Sequence, residues 1–341
     1  MRIAHIHDPL IGVIADVYLP TSQDHAWQRA RITAFKNACK SAQEHKADCI
    51  LISGRLFGEI YVTNAVIYEV LDVIRQTNCK VVWMPDAVGQ QYLERKDKLP
   101  KNFTLLTKQQ TSSTIDDVCI MRWSAGKNAS SGCNILISDM EGPVNGDMLR
   151  ILSKSVPELE YIVSNEAFYF RAGKTFTPNR AIKIENSGFE DTGTSGYYIL
   201  GFTKGKLTEK EFIESKVYNF KTVGVAVENE DDQKSVLRKC MKATVGLADH
   251  DFVRIILTGK VGVEIFINTD EIRDTLKNRF FYLEVFNGCE LELDEDTYAA
   301  DISLKSEFIR MVMADDTLSE NEKSRIIQCG WNALRGKELS E

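Results

Sequence analysis

The chain has 341 residues, 43% of them hydrophobic, with five histidines, eight cysteines and a formal net charge of −7. That length suffices for about two domains with their own cores, and the acidic balance argues against a free-standing nucleic-acid binder, which ordinarily carries a basic surplus. The opening MRIAHIHDPLIG has no basic segment leading into an apolar one, unlike a signal peptide, and no run of about 18 apolar residues offers a membrane span, so a cytoplasmic protein is expected.

Taken in chain order, Ile3 to Ile6 form a short apolar strand. A helix is predicted from Asp24, as N-cap, to about His45, because Trp27, Ile32, Phe35, Ala38, Cys39 and Ala42 recur at helical spacing. The strand CILIS follows and ends at Gly54. A helix over 63–76 carries Val66, Val70, Leu71, Val73 and Ile74, and KVVWM is the next strand. Continuous apolar strands alternating with amphipathic helices imply a sheet covered on both faces. In such sheets ligands sit in the loops beyond the carboxyl ends of the strands. The candidate loops are Asp8 to Gly12, Gly54 to Glu59 and Pro85 to Gln90.

Shorter strands are predicted at Val118–Trp123, Asn134–Ser138, Tyr161–Ser164, Ala181–Ile184 and Tyr197–Gly201, implying a second sheet packed on the first. From about Lys221 the order becomes strand 222–228, helix 230–246, strand 251–258, strand 261–267, helix 270–278 and strand 279–286, a ferredoxin-like β-α-β-β-α-β unit. Beyond an acidic linker, 303–336 read as two amphipathic helices, one carrying Leu304, Phe308, Ile309 and Val312, the other Ile326, Ile327, Trp331 and Leu334. The domains expected are therefore 1–215, 216–295, and a linker with helical segment over 296–341. There is no internal repeat, P-loop or G-x-G-x-x-G.

The cysteines are scattered without a C-x-x-C pair, and several lie in apolar runs, which is the usage of reduced, buried thiols. None of the five histidines lies between 46 and 249, so chemistry needing imidazoles from several loops is hard to build.

The loops are placed as in the calcineurin-like metallophosphoesterases, and the chain resembles their SbcD/YhaO-type DNA-repair exonuclease branch over nearly its whole length. The family's H-x-x-D-x-H-L-G is matched by His5-Ile6-His7-Asp8-Pro9-Leu10-Ile11-Gly12, and its L-I-S-G-D-L-F-D by Leu51-Ile52-Ser53-Gly54-Arg55-Leu56-Phe57-Gly58. The segment GFEDTGTSGYYIL (188–200) is similar to the family's junction between nuclease and capping domains. The resemblance implies a two-sheet α/β sandwich, a ferredoxin-like α+β capping domain and a C-terminal helical arm that docks an ATPase of the SMC family.

It also implies two divalent ions bridged by a carboxylate, with a metal-bound hydroxide attacking a phosphodiester. Most of the implied ligand positions are altered. Asp8 remains, but the following histidine position is Leu10, which has no lone pair. The bridging aspartate is Arg55, a permanent cation. The family's G-N-H-D aligns with Asp86-Ala87-Val88-Gly89, placing Ala87 and Val88 at the Asn and His positions. A later histidine becomes Asp139, and the closing G-H-x-H is matched by Asn165-Glu166-Ala167-Phe168. The expectation is a catalytically silent, nuclease-like subunit without metal, in which Arg55 pairs with Asp8 and Asp139.

Two rivals stay open: a remodelled nuclease holding one Mn or Mg ion through His7, Asp8 and Asp139, with Glu166 a further candidate, and a structural scaffold with no DNA role. His5 and His7 read equally as hydrogen-bonded structural residues. Arg95, Lys96, Lys98 and Lys101 form a basic cluster that would meet DNA phosphates, or else a solvated loop diluted by Glu94 and Asp97. Phe308, Ile309, Val312, Ile326, Ile327, Trp331 and Leu334 would anchor the ATPase partner, or else pack the helices on their own domain. Homodimerisation is common in the resembling family, and the helix at 63–76 or its neighbours could serve it, a matter the sequence leaves open.

Overall fold

In the computed structural model the described residues are all except 59–61, 95–98, 125–131, 140–141, 187, 191–193, 216, 263–264, 266, 293–301, 320–321, 324–325, 328, 331–332 and 334–341. The fold is mixed α/β, and its contacts divide the chain into Met1–Asn219 and Phe220–Glu341.

The first unit is built on two six-stranded mixed sheets. In chain order its elements are β1 (Arg2–His7), α1 (Thr21–Glu44), β2 (Cys49–Ser53), α2 (Asn64–Gln76), β3 (Lys80–Trp83), α3 (Ala87–Glu94), β4 (Phe103–Leu105), β5 (Ser112–Ile115), β6 (Val118–Trp123), β7 (Ile135–Ser138), α4 (Gly146–Ser155), β8 (Tyr161–Val163), β9 (Ala167–Ala172), β10 (Thr175–Arg180), β11 (Gly196–Thr203) and β12 (Lys206–Glu214). One sheet has the order β12-β11-β1-β2-β3-β4, the other β10-β9-β8-β7-β6-β5. Strands β1 to β4 are parallel to one another, as are β6 to β8, and antiparallel strands complete the edges.

Side chains alternate across each strand, which assigns each face a partner. Ala4, Ile6, Ile50 and Ile52 turn toward Phe35 and Ala38 of α1 and Val70 and Ile74 of α2. Their neighbours Ile3, Cys49 and Leu51 turn the other way, into a core shared with Ile120, Ile135, Ile137, Val163 and Phe168 of the second sheet. Leu136, Ile162 and Tyr169 face outward against Leu152 of α4. The layers are thus helix, sheet, sheet, helix. Fully burying one such side chain contributes about 1.5–3 kcal/mol, so a one-residue slip of any central strand would be heavily penalised.

Three details differ from the sequence expectations. Helix α1 starts at Thr21 behind Pro20, and Asp24 lies in its first turn rather than at its cap. Residues 181–184 are not a strand; the hairpin of β9 and β10 takes the outer sheet positions, and 181–184 cross between loops, with the Ile184 amide donating to the His7 carbonyl. Residues 87–94, part of an expected loop, form α3.

The second unit comprises β13 (Asn219–Ala226), α5 (Gln233–Ala243), β14 (Asp251–Thr258), β15 (Lys260–Gly262), α6 (Thr269–Leu276), β16 (Tyr282–Asn287), β17 (Glu290–Glu292) and α7 (Leu304–Met313). Helix α5 carries a capping box, with Asp232 accepting from the Ser235 amide and the Ser235 side chain accepting from the Asp232 amide. The ferredoxin-like expectation is not met among the described residues. The sheet has three strands in the order β13-β14-β16 with β14 parallel to β16, and β15 pairs instead with β17. Between β14 and β15, Gly259 sits at φ +135 against the Val227 carbonyl, where a Cβ would not fit, and β15 and β17 continue the register of β14 and β16 past it.

Beside α7, Ile309, Val312 and Ile327 form a small cluster flanked by Phe308, Met313 and Leu318. Gly330 lies against the Phe308 ring, with no room for a Cβ.

Candidate functional site at the strand tips

Beyond the carboxyl ends of the parallel strands lies a cleft of about 750 Å³. Gly54 and Arg55 enter it from the loop after β2, Met84 to Ala87 and Gln90 from β3 and α3, and Lys108 and Gln109 from the loop after β4. The second sheet supplies Arg122, Ser138, Asp139 and Asn165. A site shared by strand ends of two sheets is where this architecture exposes backbone termini and polar loops.

The loop after β1 is bound edgewise to the loop after β2. The Asp8 amide donates to the Ser53 carbonyl at 3.0 Å, that of Leu10 to Arg55 at 3.1 Å, and that of Ile11 to Leu56 at 2.9 Å. In return, Asp8 Oδ1 accepts the Arg55 amide at 2.8 Å. Asp8 and Leu10 both adopt left-handed backbone, at φ 46 and 49. Such conformations in non-glycine residues cost on the order of 1–3 kcal/mol each and gather at ligand sites. Helix α1 holds this loop from behind. Buried Arg31 donates to the carbonyls of Pro9 at 3.2 Å and Asn186 at 2.8 Å, while Trp27 and Gln28 both donate to Val13.

Beneath the cleft runs a chain of hydrogen bonds: Tyr161 Oη to His5 Nδ1 at 2.8 Å, His5 Nε2 to Ser53 Oγ at 2.7 Å, Ser53 Oγ to His7 Nδ1 at 2.8 Å, and His7 Nε2 to the Asn165 carbonyl at 3.3 Å. A carbonyl only accepts, so His7 must carry its proton on Nε2. Ser53 then donates to His7, His5 donates to Ser53, and Tyr161 donates to His5. Every proton is assigned with both imidazoles neutral. Burial pushes the pKa of each histidine down, with His7 adding to the effect on His5 and Asp8 partly opposing it at His7. His7 Nε2 also lies 3.8 Å from Asp8 Oδ2.

At the opposite wall Arg122 grips Asp139, with Nη2 and Nε at 2.8 and 3.2 Å from Oδ2, and Ser124 donates to the same oxygen at 2.5 Å. Asp139 thus pairs with Arg122, a partner that the sequence reading did not give it. Asp86 Oδ1 accepts the Gly89 amide at 2.9 Å and caps α3.

The structure gathers Arg55, Ala87 and Asp139 in the cleft, with Asp8 at its edge stacked over Gly54. Leu10 is buried at 1% exposure. Val88 is half-buried in α3 and Glu166 is exposed, neither lining the cleft. Phe168 is not at a tip. It is buried in β9 with its ring 4.8 Å from that of His5 and 5.1 Å from that of His7. Lys101 is exposed, while Arg95, Lys96 and Lys98 lie outside the described residues. Ile309, Val312 and Ile327 are buried in one cluster, in keeping with the alternative that these helices pack on their own domain. Ile326 is 38% exposed, Phe308 is half-buried, and Trp331 and Leu334 lie outside the described residues.

Sequence reasoning missed Arg122, Lys108 and Tyr161, and gave no role to Ser53 and Asn165 within the motifs it matched. The only available signals were an arginine near the end of an otherwise apolar strand and a tyrosine opening an aliphatic one. Among the described residues no three His, Cys, Asp or Glu side chains stand where they could share a cation, and no helix is long and apolar enough to cross a membrane. Compared with known proteins, the chain matches no family model and no curated sequence.

Proposed function

We propose that this chain is a catalytically silent, metallophosphoesterase-like subunit of the SbcD/YhaO exonuclease type. It works with an SMC-family coiled-coil ATPase in DNA-end sensing, repair or defence against foreign DNA. The observation that carries the reading is Arg55 in the strand-tip cleft, at the position where the resemblance places a metal-bridging carboxylate. A paired-metal centre does not suit this donor set. Leu10 offers only hydrocarbon, Ala87 a methyl group, and Arg55 a fixed positive charge that would repel divalent ions.

On this reading the strand-tip fold is kept for binding, and any cutting is done by another subunit. The test is affinity purification of the tagged full chain from its native cells, with metal analysis and a manganese-supplemented nuclease assay on the product. A long coiled-coil ATPase should co-purify and the chain alone should leave DNA intact. Manganese-dependent cleavage abolished by Asp8→Ala would overturn the reading in favour of the one-metal nuclease, whose nearest structural basis is the 3.8 Å approach of His7 Nε2 to Asp8.

A further inference from the structure

The cleft holds chemistry that a partner-docking role leaves unused. Three cations, Arg55, Lys108 and Arg122, reach it from the loop after β2, the loop after β4 and the end of β6. Among the described residues, the two carboxylates in the lining are engaged, Asp86 by the Gly89 amide and Asp139 by Arg122 and Ser124. Asp139 uses the Nε and Nη2 donors of Arg122. A guanidinium carries five N–H groups, so donors on Nη1 remain for a second acceptor. Lys108 is exposed and has no carboxylate partner among the described residues.

The geometry selects the shape of the acceptor. A planar carboxylate is satisfied by two parallel N–H bonds from one side, whereas cations approaching from two loops and a strand end suit the several oxygens of a tetrahedral phosphoryl group. The cavity volume is too large for a bare ion and falls within the roughly 300–1,000 Å³ of small-molecule sites. Met84, Pro85 and Ala87 line one side and offer an apolar wall for an organic body.

We propose that this cleft binds a terminal phosphomonoester without a metal ion. Arg55, Lys108 and Arg122 take the phosphoryl oxygens, and the Met84–Ala87 wall takes the attached organic group. This rests on the preceding reading only in requiring no divalent ion; it needs no ATPase. The same terminal group occurs on a free nucleotide and at the end of a nucleic-acid strand.

Isothermal titration of the purified full chain in EDTA tests it, with adenosine monophosphate against adenosine, and a 5′-phosphorylated short oligodeoxythymidylate against its 5′-hydroxyl form. At least one phosphorylated probe should bind about tenfold or more tightly than its hydroxyl counterpart. Lys108→Gln, at an exposed position that should not disturb folding, should weaken that probe several-fold, and Arg55→Gln should weaken it further. Preference for the nucleotide or for the strand supports the proposal and names the source. Equal binding of phosphorylated and hydroxyl forms, no binding at all, binding only after magnesium or manganese is added, or indifference to Lys108→Gln overturns it. Phosphate-selective binding in EDTA by a chain that co-purifies with no ATPase would sink the partner reading and leave this one standing; an ATPase complex blind to the phosphate would do the reverse.

Discussion

Tyr161 on the second sheet reaches across the shared core to His5 on the first, its hydroxyl 2.8 Å from His5 Nδ1 and both side chains almost wholly buried. That contact starts the proton order that runs through Ser53 to His7 and ends at the cleft wall, so a polar line crosses the largely apolar core between the sheets.

Tyr161→Phe removes the donor and leaves His5 Nδ1 a buried acceptor without a partner. Equilibrium unfolding in urea should show a loss of about 1–3 kcal/mol. An unchanged midpoint would mean that the hydroxyl is not part of the core network.

The two histidines also set a pH dependence. Their pKa values are lowered on folding, so below about 6.5 the unfolded chain binds protons that the folded chain refuses. Their contribution is therefore lost as pH falls from about 6.5 toward the depressed folded values, at up to about 1.4 kcal/mol per pH unit for each histidine. Unfolding free energies at pH 7.5, 6.5 and 5.5 (chosen to span about one unit either side of the reference value) should decline on the acid side. The decline should be shallower in His7→Asn. Parallel profiles for the two proteins would refute the assignment.

Gly54 sits at φ +67, and a Cβ there would come within 2.1 Å of Asp8 Oδ1. Gly54→Ala combines an unfavourable backbone with a collision against the residue that ties the two loops together. A destabilisation of about 2 kcal/mol or more is expected, read as a fall in Tm together with loss of any ligand binding in the cleft. An alanine variant with wild-type Tm would show that the loops have room to part.

Burial also divides the thiols. Cys39, Cys49, Cys133 and Cys240 are buried, and burial raises all four, with Cys133 pushed up to about 12 and Cys240 to about 11. Cys329 is exposed. Under native conditions a thiol reagent should modify Cys329 fast and leave these four untouched until denaturant is added. Rapid native labelling of Cys39 would contradict the packing of α1 on the first sheet, and that of Cys49 the packing of the two sheets on each other.

Ile327 contributes to the cluster beside α7. Ile327→Ala should therefore lower the resistance of the C-terminal segment to proteolysis, by an equivalent of about 2 kcal/mol, the low end for a truncated core residue. Leu304→Ala, at a position 73% exposed, should leave it unchanged. If both variants resist digestion like the parent, the cluster contributes nothing to order there.

Periodicity alone located β1, α1, β2, α2 and β3 to within a few residues, because each is a long apolar pattern with one repeat. It placed a candidate loop after β1 and another after β2, while most of the third, Pro85 to Gln90, is helix α3. It failed where short strands depend on partners: β9 and β10 pair only because each finds the other, and the Thr175–Arg180 stretch has little apolar pattern of its own. In the second unit the predicted 261–267 strand is met only at its start, by β15 pairing with β17, and residues 263–264 and 266 lie outside the described residues.

The amino-acid order by itself determined which side chains could be cations, hydrocarbons or imidazoles at the strand ends, since residue type is local information. Only the tertiary structure decided which of them meet. Arg122 pairs with Asp139 because β6 and β7 run side by side in parallel, carrying Trp123 opposite Ser138 and both residues to one edge. Tyr161 meets His5 because two sheets, 156 residues apart along the chain at that point, bury their faces against each other. Contacts of that separation are chosen by packing and burial, which no window of sequence contains.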